Sequence, residues 1–115
     1  MERRTREIAD RLAQAQDWRE RRASALRLGR LGDRDAFEPL ARALGDRDPE
    51  VRHAAVQALT EIGDTRAIPL VSRPRIIEDP CTNVRWSAVR LIGHLGSLDL
   101  VEVLRKALQD QEWVV

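Results

Sequence analysis

With 115 residues the chain can build one continuous core but not two independent ones. Apolar residues make up 43%, charged residues 34% and aromatics only 3% with no Tyr, the profile of a helical array packed with Ala, Leu, Val and Ile. A net charge of +1 argues against a whole-molecule polyanion binder, lone Cys81 cannot close an internal disulfide, and no apolar run approaches the ~20 residues of a membrane span. The opening "MERRTREIAD" has no apolar signal core, so the expectation is a cytoplasmic chain with no membrane contact.

Taken in chain order, "REIADRLAQAQ" predicts a short helix with Ile8 and Leu12 on its apolar side. Asp17, with Glu20 three residues later, marks the start of a second helix that closes at "LGD", residues 31–33. "DAFEPLARALGD" at 35–46 is another short helix, with Pro39 placed early, where a proline costs least. Asp48 followed by Pro49 opens an alanine-rich helix on which Val51, Ala54, Ala55, Ala58, Leu59 and Ile62 share one stripe. It closes at "IGD", residues 62–64, and "TRAIPLVSRP" at 65–74 repeats the short helix, with Pro69 in place of Pro39. The stretch "SRPRIIEDPC" at 72–81 breaks the pattern. Pro74 ends the short helix early, and this unit is two residues longer than the one before. Ile76 and Ile77, with Glu78 and Asp79 behind them, predict a longer, apolar-tipped connection at one edge, either a binding loop or drift in a tolerant one. A second alanine-rich helix follows in "NVRWSAVRLIGHLGS", and "LDLVEVLRKALQD" gives a last short helix at 98–110. The expected organisation is all-α, about seven helices: pairs at about 3–31, 34–62 and 65–95, and an unpaired helix at 98–110.

The repetition is visible in the triplets "LGD", "IGD" and "LGS", each an apolar last-turn residue, a glycine suited to positive φ, and a capping residue: Gly32, Gly63 and Gly96 close helices, and Asp33, Asp64 and Ser97 start others. Upstream, "DPEVRHAAVQALTEIGD" aligns with "CTNVRWSAVRLIGHLGS", placing Val51 over Val84, Arg52 over Arg85 and Ala55 over Ala88. These residues resemble the HEAT-like repeats of the phycocyanobilin lyase family, whose unit joins a proline-containing short helix through an Asp-Pro-x-Val-Arg turn to an alanine-rich helix ending in Leu-Gly-Asp. The resemblance runs over about residues 8–110, nearly position for position at 48–64, while "ERRASALRLGRLGD" lacks the valine. It implies a right-handed αα-superhelix whose alanine-rich helices line a concave face. It also implies a choice of roles, since such repeats serve as lyase subunits, adaptors and scaffolds.

No phosphate loop, Cys/His ligand spacing or nucleophile beside a base can be identified, so no catalytic, cofactor-binding or metal-binding residue is expected. HEAT-like iron hydroxylases use His-Glu dyads, but here Ala54 follows His53 and Leu95 follows His94. The two histidines occupy different repeat positions and read as partly exposed helix residues on different faces, and Cys81 reads as a small residue filling a turn. Arg21, Arg52 and Arg85 recur at one repeat position and are expected to pair with the acidic caps Asp17 and Asp48 as an internal ladder.

Positions that differ between units point to function. The residue after the ladder arginine is Arg22, then His53, then Trp86, and four residues on it is Leu26, then Gln57, then Arg90. Trp86 near Arg90 on a polar face is typical of an interface hot spot, and the same Trp would equally serve to pack on an adjacent unit. The leading expectation is a non-catalytic scaffold that binds a protein partner through Arg22, Gln57, Trp86 and Arg90. A bilin lyase-like subunit is implied by the resemblance, and nucleic-acid binding is the reading offered by residues 1–34, with ten Arg against six Asp and Glu. Beyond 98–110, Trp113, Val114 and Val115 leave an apolar end expected to meet a further repeat, a larger assembly or a second copy.

Overall fold

The structure, a computed structural model, describes residues 1–96. Two of its long helices start where a short polar side chain takes up an unpaired backbone N–H. Asp17 accepts from the Arg19 N–H and Asp48 from the Glu50 N–H, both at 2.8 Å. These bonds open α2 (Trp18–Leu31) and α4 (Pro49–Ile62). Gly32 and Gly63 end those helices at φ 67° and 75°, where a β-carbon would be strained. Gly96 also follows a helix, α7 (Thr82–Leu95), but at φ −53°, so only two of the three triplet glycines use positive φ.

The short elements are α1 (Arg3–Gln14), a 3-10 turn at Arg34–Ala36 running into α3 (Phe37–Ala43), α5 (Ala67–Val71) and α6 (Pro74–Ile77). Among the described residues there is no strand. The expected helix at 98–110, its cap Ser97 and the apolar end Trp113 to Val115 lie outside them. The third short helix is split: Pro74 cannot continue α5 and instead becomes the first residue of a separate single turn. This corrects the expected apolar-tipped connection. Ile76 and Ile77 are only 6% and 3% exposed, because α6 packs against α7 and buries them in the core. The two extra residues of this unit lengthen its connection by the turn that carries this core contact.

Each long helix gives one stripe to a continuous core. Leu28 of α2, Leu40 of α3, Val51 and Leu59 of α4, and Leu91 of α7 are fully buried, and α4 packs on both α2 and α7. The approach of α2 to α4 is set by Gly29, where an added β-carbon would stand 2.8 Å from the Ala58 Cα. On the short-helix side, Arg66 holds Asp64 at 2.7 Å and lies over the Phe37 ring at 4.2 Å, tying α3 to the turn before α5. The same guanidinium, then the Arg66 N–H, keeps the Asp64 carboxyl below its ordinary range.

The recurring arginines do form a ladder, but its acids are not the caps. Arg21 makes a two-pronged contact with Asp46, from Nε at 2.8 Å and Nη2 at 3.1 Å, and Arg52 meets Asp79 at the same two distances. The third nitrogen, Nη1, donates to the carbonyl oxygen six residues back: Ala15 for Arg21, Asp46 for Arg52 and Asp79 for Arg85. Asp46 and Asp79 each therefore take one arginine on the side chain and the next arginine on the carbonyl. They sit two residues before the caps Asp48 and Cys81 and also accept those caps' N–H groups, at 2.9 and 2.8 Å. The rungs are thus Asp46 and Asp79, in the loops before α4 and α7, and not the caps Asp17 and Asp48. The ladder holds α2, α4 and α7 in register and so fixes what their outer faces present.

Candidate functional site

Because α2, α4 and α7 share that register, equivalent positions on them form rows. Gln57 of α4 and Trp86 and Arg90 of α7 line one groove of about 610 Å³, with Leu26 and Arg30 of α2 and His53 and Glu61 of α4 around them. Trp86 is 44% exposed. Arg22 stands apart from the groove lining: its guanidinium turns to Glu50 at the start of α4, 3.9 Å away, and both side chains are about half exposed. Three of the four residues singled out from sequence are thus brought together, and the fourth is occupied beside them.

Arg30 and Glu61, not among the residues singled out from sequence, also line the groove and occupy the repeat position four residues beyond Leu26 and Gln57. Extending the same stripe by a turn finds them. His53, read from sequence as an unremarkable helix residue, is in the groove wall, while His94 is not. Burial pushes the His53 pKa down. Glu50 opposes that shift, and the Arg22 charge adds to it. Near pH 6 the unfolded chain, with an ordinary histidine pKa of about 6.5, therefore binds more protons than the folded one. Stability from this group is complete above that value and is lost as pH falls below it. Urea midpoints at pH 7.5 and pH 5.5 should differ less for His53→Gln than for the parent chain, and an unchanged difference would remove His53 as the cause.

Among the described residues, no group of three or more His, Cys, Asp and Glu is arranged to hold a metal ion, and no helix is long and apolar enough to cross a membrane. Cys81 caps α7 with its backbone extended and lies outside the groove lining.

Stacked helix pairs, closed by glycines and joined by an arginine–aspartate ladder, define an α-solenoid whose long helices share a grooved face. The chain belongs to the HEAT repeat family: the profile for HEAT repeats matches residues 5–73, and that for the PBS lyase HEAT-like repeat matches 84–110. It is 29% identical over 96 residues to a deoxyhypusine hydroxylase of Cryptococcus neoformans, a match covering 80% of this chain and 26% of that protein. It is 36% identical over 73 residues to a UPF0210 protein of Methanopyrus kandleri, covering 64% of this chain and 16% of that protein. The chain spans about a quarter or less of the length of these relatives.

Proposed function

We propose that the chain is a non-catalytic binding module that holds a protein partner along the groove of α2, α4 and α7, as a scaffold or adaptor does. The observation that carries this reading is the convergence of Gln57, Trp86 and Arg90 with Leu26, from three successive repeat units, on one groove. An exposed Trp with an Arg one turn away is the pair of residue types most often found to dominate association energies. Stacked repeats extend such a face over several helices without needing a deep cavity. The deoxyhypusine hydroxylase relative is an enzyme by name, but the match spans about a quarter of it and the groove here has no cluster of metal-ligating side chains among the described residues. A polyanion-binding role for the arginine-rich first third draws less support: Arg3, Arg19, Arg21 and Arg22 are already engaged with Glu7, Asp17, Asp46 and Glu50.

The test is affinity capture on immobilised parent chain and Trp86→Ala in parallel, with the retained proteins identified by mass spectrometry. Removing a hot-spot Trp should weaken the specific partner by about thirtyfold or more while the helical circular dichroism stays intact. Retention of the same proteins on both columns would rule out this face as the binding surface.

A further inference from the structure

The groove has a chemical pattern of its own. On each of its two outer helices an apolar residue is followed one helical turn later by an arginine: Leu26 and Arg30 on α2, Trp86 and Arg90 on α7. Arg30 and Arg90 make no ion pair among the described residues, unlike the ladder arginines, so their charge is offered outward. Between these helices, α4 presents the Gln57 amide and the Glu61 carboxylate.

We propose that the groove takes an acidic peptide segment laid across α2, α4 and α7, with apolar side chains against Leu26 and Trp86 and carboxylates on Arg30 and Arg90. This rests on the protein-binding reading and gives the partner its chemistry. The pattern of charge favours a peptide over a nucleic-acid strand. A strand carries a phosphate at every nucleotide and would bring one against Glu61, whereas a peptide can place carboxylates at the two ends and leave a neutral stretch over Glu61. Gln57, and Asn83 at the start of α7, supply amide groups that both donate and accept, suited to the backbone of an extended segment.

The fold also sets a spacing. Packed helices lie ~8–10 Å apart, so α2 and α7, separated by α4, are ~16–20 Å apart. An extended peptide rises about 3.3 Å per residue, so the two apolar-acidic pairs should be about five or six residues apart.

The experiment is an array of synthetic peptides, each with two Leu-Glu pairs separated by Gly-Ser spacers of graded length, next to copies with Gln in place of Glu and a poly-uridine oligonucleotide. It is probed with the fluorescently labelled chain of residues 1–115. Glu peptides should be retained best at a separation of about five or six residues, and their Gln copies about tenfold less. In the double variant Arg30→Gln, Arg90→Gln the preference for Glu over Gln should disappear with the helical signal unchanged. Equal retention of Glu and Gln peptides, no retention of either, or stronger retention of the oligonucleotide would each overturn the proposal. If any of these occurs while partner capture still depends on Trp86, the acidic chemistry fails and the protein-binding reading stands. If capture is also indifferent to Trp86, both fail.

Discussion

Asp79→Ala is expected to lower the unfolding free energy by about 3–5 kcal/mol, the usual cost of removing one partner of a buried ion pair. The Asp79 side chain is 3% exposed and that of Arg52 16%, so water cannot easily replace the lost carboxylate. Two guanidinium N–H groups of Arg52 and the Cys81 N–H would lose their acceptor together. The penalty is that of a stranded buried cation, not the net worth of the pair. The double replacement Arg52→Met, Asp79→Leu should therefore recover part of the loss, because it strands no buried charge, although the Cys81 N–H and the Asp46 carbonyl still lose their partners. Asp79→Asn, which keeps an acceptor for Cys81 but not the charge, should fall between. Urea denaturation followed by circular dichroism of the parent chain and these three variants measures this directly. A loss below about 1 kcal/mol for Asp79→Ala would mean that the rung behaves as an exposed pair and that the register of α4 and α7 is held by apolar packing alone.

The second large effect is expected at Gly29. In an ordinary helix interior, Gly→Ala stabilises by about 1 kcal/mol, since Gly gives up more backbone freedom on folding. At Gly29 the new methyl would meet the Ala58 Cα at 2.8 Å and the Ala58 Cβ at 2.9 Å, and Ala58 is fully buried with no room to retreat. Helices α2 and α4 would have to separate, disturbing Leu28 and Leu59 beside the contact. The net result should be a destabilisation of about 1–3 kcal/mol despite the propensity gain. Gly93 occupies the equivalent repeat position on α7 and has nothing within 4 Å among the described residues, so Gly93→Ala should stabilise by about 0.5–1 kcal/mol. The opposite signs at two equivalent positions are the check. Were Gly29→Ala to stabilise as Gly93→Ala does, close helix approach would not be the reason for glycine there.

Local chemistry was legible in the chain because each signal acts within a few residues. Asp17 and Asp48 cap the helices they precede, Gly32 and Gly63 take the positive φ that only glycine adopts cheaply, and Val51, Ala55 and Leu59 share a stripe because a helix turns every 3.6 residues. From these came the all-α class, the helix pairs and the choice of Gln57, Trp86 and Arg90 as neighbours on one face. The tertiary structure decided what depends on contacts between units. Which acid each ladder arginine reaches is set 25 or 27 residues away, by where the next loop comes to lie, and so Asp46 and Asp79 take the role expected of the caps. Whether "PRII" is an exposed tip or a buried turn is settled by the apolar surface of α7 that it covers, because burying two isoleucines outweighs leaving them in water. Arg22 is drawn from the groove by Glu50 of the neighbouring helix, and Gly29 is needed only because Ala58 stands opposite it. Helix periodicity tells which residues face outward together; only the packing of one repeat on the next tells which of them meet.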